Sequence, residues 1–262
     1  MKTFQNILGW LVTILTPVML VLTAVRLLLT PLYIQVEYRL PYFPEDRYGF
    51  SQSDRIYWAD LARLYLLNNA GIDFLAQLQF PEGQQAAGDC DEFQPPRDCS
   101  YFYNDRELRH MLDVKVIVKA TLAVLGLALF LTLGLGFWAY WGGWWPGYRR
   151  SLERGGWAAV GLIMAILAYL ALNFNSLFIN FHRIFFEGDT WLFHFSDSLI
   201  RLFPTVFWRD AFIWAGGLTL LGAAGLIYWA RQPVELSRLI LLRTRSHKSH
   251  PKSKIAKNKR RR

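Results

Sequence analysis

Two histidines carry the acid–base chemistry that this sequence offers: His110, within DRELRHMLDVK, and His182, within NFHRIFFEGDTW. Imidazole titrates near neutral pH and can take or give a proton in a transition state. Two of them at one place would supply a base and an acid to the same reaction. On a helix, Arg106, Glu107 and Asp113 stand three or four residues from His110 and share its face. Glu107 is expected to hold one ring nitrogen of His110, which favours His110 as the base, while the sequence leaves the base and acid roles of the two histidines open. A serine-nucleophile elbow, H-E-x-x-H, a P-loop and a dinucleotide fingerprint are all absent from the sequence. With no evident serine or cysteine nucleophile, the attacking group is expected to belong to the substrate. A lipid ester with an adjacent amine suits such a site. One histidine accepts the amine proton, the other donates to the carbonyl oxygen or leaving hydroxyl, and one molecule holds both reactants in proximity.

The elements that bring the histidines together are membrane spans. A chain of 262 residues with 53% hydrophobic and 16% aromatic residues but 19% charged is too apolar for an ordinary water-soluble domain. Four runs are long enough to cross the hydrocarbon as helices, at roughly 7–30, 116–141, 157–180 and 211–230. The first is too long for a secretory signal and reads as a retained anchor kinked at Pro17. The 31–115 segment is net acidic, whereas the 142–156 link carries Arg149, Arg150 and Arg154 and the tail ends KNKRRR. The positive-inside rule therefore places both termini and the link in the cytoplasm and the 31–115 and 181–210 segments outside. The short link makes the second and third spans antiparallel neighbours. His110 stands 38 residues before Tyr148 and His182 stands 34 after it. At a helical rise of about 1.5 Å per residue the two differ in depth by only about 6 Å, so both belong to the outer edge of the bilayer.

Within 31–115, Ile34, Val36, Tyr38 and Leu40 alternate with polar residues as in a half-buried strand. A helix capped at Ser53 is expected next, then a loop over 68–100. A further helix should begin at Asn104 with Glu107 completing a near capping box, and run without a break into the second span. Cys90 and Cys99 fall in the outer segment, where they form a bridge, remain free thiols or bind a metal. Asn173, Asn175 and Asn180 stripe the third span and call for interhelical hydrogen bonds. The aromatic segment after His182 is broken by Gly188 and Pro204, cannot span, and suits an interfacial hairpin with a short helix capped by Ser196 or Asp197. Gly216, Gly217, Gly222 and Gly225 allow close packing of the fourth span. His247 and His250 lie in the basic tail, on the wrong side for outer-face chemistry.

The expected fold is an all-α polytopic membrane protein with four transmembrane helices and a small mixed α/β extracytoplasmic domain between the first two spans. Its divisions are 1–30, first span; 31–115, outer domain leading into the second span; 116–180, helical hairpin; 181–210, outer interfacial segment; 211–230, fourth span; and 231–262, basic cytoplasmic tail. No nucleic-acid partner is expected, since no folded module accompanies the basic tail, and no cofactor or metal is required. The chain is expected to act as a monomer. Two other readings stand beside acyl transfer. One is a non-enzymatic protein whose acidic outer domain binds a partner or senses the envelope; the other is a metal-dependent membrane enzyme with His110, His182 and Glu107 as ligands.

Four stretches together carry a family resemblance: RExxHMxDVK at Arg106–Lys115, FHxxFFxGxTWxF at Phe181–Phe193, LIxLFPxxFW at Leu199–Trp208, and YGFSQ from Tyr48. They resemble the bacterial lipoprotein intramolecular transacylase (Lit) family of integral membrane proteins, over most of the chain. The resemblance implies movement of the sn-2 acyl chain of a diacylglyceryl-cysteine lipoprotein onto the α-amino group of that cysteine, leaving a lyso-form lipoprotein. It implies that diacylated lipoproteins and membrane lipid are the partners, that the protein is multi-pass in the cell membrane, and that the essential histidines of the HM and FH motifs are His110 and His182. The Cys90–Cys99 segment and the long basic tail depart from the family pattern.

Overall fold

The computed structural model describes residues 2–233; His247, His250 and nearly all of the basic tail lie outside them. Four long helices are apolar enough to cross a membrane: α1 (Lys2–Leu28), α5 (Asp105–Trp141), α6 (Trp145–Phe185) and α8 (Thr205–Arg231). Shorter helices α2 (Pro31–Glu37), α3 (Gln52–Leu67), α4 (Asp73–Ala76) and α7 (Ser198–Leu202) connect them on one side of the bundle. The protein is thus a multi-pass membrane protein built from helices.

Helix α6 packs along both α1 and α8, and α1 also lines α5. Small residues set these approaches. A β-carbon on Gly155 would lie 2.8 Å from the Thr13 carbonyl oxygen of α1, and one on Gly156 would lie 2.8 Å from Ile227 of α8. In α8, Gly216 abuts Leu167 and Gly222 abuts Leu20, whereas Gly217 and Gly225 face open space.

Helix α6 is interrupted at Asn173, whose backbone is extended (φ −160°, ψ 86°). The Asn173 side chain accepts from the Ser176 amide at 2.9 Å and so caps the restarted helix. Asn180 donates to the Tyr169 hydroxyl at 2.8 Å. Two of the three amides expected to bridge helices, Asn173 and Asn180, thus serve their own, and at Asn173 the interruption frees amide groups that need a local acceptor.

The module built by these shorter helices contains no mixed α/β domain: among the described residues there is no strand, only an isolated bridge between Gln79 and Tyr101. The segment expected to be a strand is α2. Pro31 at its first turn presets a helical φ. Tyr33, Ile34 and Glu37 then recur at helical spacing and are buried together with Tyr38, a face that alternation over so few residues cannot distinguish from a strand. Helix α3 starts two residues earlier than expected. Its cap is Ser51, because Asp54 stands three residues on and completes a capping box.

The module's core holds Trp58, Tyr65, Leu75, Phe102, Met111 and Leu202, with Trp58 and Phe102 stacked at 4.2 Å. Arg201 of α7 is buried on Asp46 at 3.0 Å and lies 3.5 Å above the Phe50 ring. In the 68–100 loop, Cys90 and Cys99 are joined in a disulfide with Cα atoms 5.3 Å apart. Glu37 is fully buried beside Asp210, and that burial together with the neighbouring carboxyl pushes its own carboxyl up to about 8.

Candidate functional site

The first turn of α5 positions His110. Asn104 accepts the Glu107 amide at 2.9 Å, and the Glu107 carboxylate accepts the Asn104 amide at 2.8 Å. The second carboxylate oxygen of Glu107 accepts the Leu199 amide at 2.6 Å, which ties the start of α5 to the start of α7. Glu107 is buried, and none of its hydrogen bonds goes to His110. A glutamate at the third helical position reaches back to the cap, so it is drawn away from a ring one turn further on. Asp113 is exposed to solvent.

His182 comes from the last turn of α6. Its ring lies 6.4 Å from that of His110, with the planes 19° apart. Both imidazoles are nearly enclosed, at 7% and 9% exposure, and the walls are aromatic. Phe186 lies 4.8 Å from His110 and 5.6 Å from His182. Phe193 closes on His110 at 5.2 Å, while Trp191 and Phe178 close on His182 at 4.9 and 4.1 Å.

The two rings are held differently. Nδ1 of His182 lies 2.8 Å from the Phe178 carbonyl oxygen. A carbonyl only accepts, so this nitrogen carries the proton, and the neutral ring leaves its lone pair on Nε2. Nδ1 of His110 is buried with no hydrogen-bond partner among the described residues. The oriented histidine is therefore His182, held by a backbone carbonyl, and not His110 held by Glu107. No serine or cysteine side chain of the described residues is hydrogen-bonded to either imidazole. No group of three His, Cys, Asp or Glu residues among them is placed to hold a metal ion.

A polar cluster overlies the niche, and much of it was invisible in the sequence. Arg106 Nη2 donates to Glu92 at 2.7 and 2.8 Å and to Asp197 at 3.3 Å. The Asn104 side chain donates to Glu92 at 2.8 Å and to Asp197 at 3.4 Å. Asp197 accepts the His194 amide at 2.8 Å, and the His194 ring is 3.5 Å from Glu92. Asp197 carried a sequence signal as the cap of α7 and holds that position. Glu92 sits in a loop without periodicity and carried none.

A cleft of about 600 Å³ opens at the other end of the α5–α6 pair, lined by Leu133, Phe137, Trp145, Tyr148 and Trp229 among others. It contains no imidazole or carboxylate, and we assign no chemistry to it.

The comparisons with known proteins agree with this architecture. Residues 10–208 match the model of the family described as lipoprotein intramolecular transacylase Lit. An uncharacterized protein of Aquifex aeolicus (strain VF5) is 24% identical over 226 residues, which cover 83% of this chain and 90% of that protein. The in meso structure of the membrane integral lipoprotein intramolecular transacylase Lit from Bacillus cereus is similar in fold, with a TM-score of 0.65 and 16% identity. That match covers 94% of this chain and all of the other. A variant of the Bacillus cereus protein with a histidine replaced by alanine matches at a TM-score of 0.63 and 16% identity, covering 91% of this chain and 97% of the other.

Proposed function

This chain belongs to the lipoprotein intramolecular transacylase family, and from that premise we propose that it moves an acyl chain within a diacylated lipoprotein at the outer face of the membrane. As a member of that family it is an acyltransferase acting on lipoproteins. The reaction we assign starts when the α-amino group of the N-terminal cysteine attacks the carbonyl carbon of the sn-2 ester. A C–N bond forms and the ester C–O bond breaks. One proton passes from the amine nitrogen to the departing glyceryl oxygen, leaving an amide and a lyso-lipid hydroxyl.

The observation that carries this reading is the pair of facing imidazoles in an aromatic niche. At a ring separation of 6.4 Å, both can reach one tetrahedral centre lying between them. His182 is the base, since its Nδ1–H bond to Phe178 leaves Nε2 free to accept the amine proton. His110 relays that proton to the leaving oxygen, so that both rings end the reaction neutral. This reverses the role expected for His110 beside Glu107. Glu107 is a positioning residue that fixes the start of α5 against α7. The outer location rests on the charge asymmetry of the chain, which favours a cytoplasmic 142–156 link and an outward niche.

The test is mass spectrometry of a lipoprotein N-terminus after expression in a host without this activity. The wild-type chain should convert the diacylated form to the lyso form. His110→Ala and His182→Ala should each lower conversion by about 10²–10⁴-fold, the range for general acid–base catalysis. Full activity in either variant overturns the assignment.

A further inference from the structure

The loop closed by the Cys90–Cys99 disulfide touches neither imidazole, yet it is fastened to the first turn of the helix that carries His110. The Gln94 amide donates to Asp105 at 2.7 Å, Arg97 pairs with Asp105 and donates to the Tyr103 carbonyl at 3.0 Å, and Glu92 takes the Asn104 and Arg106 side chains. The same Glu92 faces the His194 ring, and the same Arg106 reaches Asp197, so the loop also grips the segment after α6. That segment supplies Trp191 and Phe193, which close on His182 and His110. The Arg106 guanidinium lies over the Phe193 ring at 5.7 Å. The contacts thus run from the disulfide through Glu92 and Arg106 to the aromatic residues that shield the histidines.

We infer that the Cys90–Cys99 loop is a positioning clamp for the acyl-transfer site, with Glu92 holding the 191–197 segment and the start of α5 in one geometry around His110 and His182. The inference rests on the assignment of the histidine pair as the reacting site. The disulfide keeps Glu92 in place by closing a short loop: without the bridge, the chain from Cys90 to Cys99 gains freedom that its few hydrogen bonds must then offset. Since Glu92 acts through Arg106, Asn104 and His194, it is a positioning residue and not a catalytic one.

The experiment uses the full-length protein in detergent, with two readouts: turnover of a diacylated lipopeptide, and the rate at which diethyl pyrocarbonate modifies His110 and His182, read by mass spectrometry. Glu92→Gln and Cys90→Ser/Cys99→Ser should each lower kcat by about tenfold, the order set by one hydrogen bond to a charged group. Both should speed modification of the two histidines by a similar factor. A rescue separates positioning from loss of fold. A β-carbon on Gly88 would lie 3.7 Å from that of Ser196, a separation that a disulfide spans. Adding Gly88→Cys/Ser196→Cys to Cys90→Ser/Cys99→Ser should restore turnover and protection when oxidised and lose both again with dithiothreitol. The inference is overturned if Glu92→Gln and the serine pair keep wild-type turnover and protection, or if the oxidised rescue variant restores neither. A wild-type chain that fails to turn over the lipopeptide instead overturns the histidine assignment on which the inference rests, while the modification rates still report the clamp.

Discussion

The two ends of the α5–α6 pair use similar residues to opposite effect. At the end near the interhelical turn, Gly136 admits the Tyr148 ring, whose hydroxyl donates to the Thr132 carbonyl at 2.8 Å. Arg149 lies over the Trp229 ring and donates to the Trp229 and Gln232 carbonyls at 2.6 and 2.5 Å. Aromatic rings and polar groups there are spent on backbone acceptors, and the result is a lock between helices. At the other end, the rings of Phe186, Trp191 and Phe193 surround two imidazoles that retain an uncommitted nitrogen each. The aromatic lining is common to both. What distinguishes the two ends is the kind of atom left uncommitted: imidazole nitrogens in the histidine niche, and Thr132 Oγ1, Trp144 Nε1 and Arg149 Nε, none of them an acid or base near neutral pH, at the joint.

The largest effect that would break this comparison comes from removing an uncommitted nitrogen while keeping the committed one. His182→Asn can still donate to the Phe178 carbonyl but has nothing in the place of Nε2. Lipopeptide turnover should fall by about 10²–10⁴-fold with the melting temperature kept; retained turnover would show that the bond to Phe178, and not the free nitrogen, matters. Next in size is Glu107→Ala, which strands the Asn104 and Leu199 amides in a buried setting. Each stranded donor costs about 1–3 kcal/mol, so detergent unfolding should shift well below wild type and activity should fall with it. A wild-type melting curve would show that the carboxylate is not what joins α5 to α7.

The lock end should respond more mildly. Tyr148→Phe removes one neutral hydrogen bond, worth about 1 kcal/mol, and should leave turnover within about twofold. A large loss of activity there would mean that the two ends are coupled and the comparison fails. The smallest effect concerns Glu37 of α2. Its carboxyl keeps a proton up to about 8 in the folded protein against an ordinary value of 4.5. The folded state then binds more protons than the unfolded chain over that window. The contribution of Glu37 is full at lower pH and is lost as pH rises through about 8. Glu37→Gln should flatten the fall in melting temperature over this range, and an unchanged slope would assign it to other groups.

Much of this arrangement was legible in the sequence because long-range periodicity and helix caps are local signals. The four spans follow from apolar length, the start of α5 from Asn104 and Glu107, and the approach of His110 to His182 from counting residues around a short turn. What failed was local ambiguity. Ile34 and Val36 of α2 and Tyr38 just after it stand in alternation, and Pro31 at the first turn together with packing on Phe207, to whose carbonyl Tyr33 donates at 2.8 Å, decides for the helix. Glu107 was recognised as a cap and also expected beside His110. The second partner of its carboxylate, the Leu199 amide, is 92 residues away and leaves no local trace. The carbonyl of Phe178 is equally silent, since every residue has one. Glu92 became visible only when the loop was closed on α5.

That bond between Glu107 and Leu199 also fixes an order of events during synthesis. The carboxylate emerges from the ribosome 92 residues before its partner, an interval on the order of ten seconds at bacterial elongation rates. Until then the capped start of α5 has nothing tying it to α7, Asp197 has not arrived to meet Arg106, and His182, 72 residues after His110, has only just followed it. A nascent chain halted before α7 holds both imidazoles but not the clasp that sets them. The histidine niche is therefore among the later parts of the protein to mature, and a premature stop in α7 yields a chain whose histidines lack their frame.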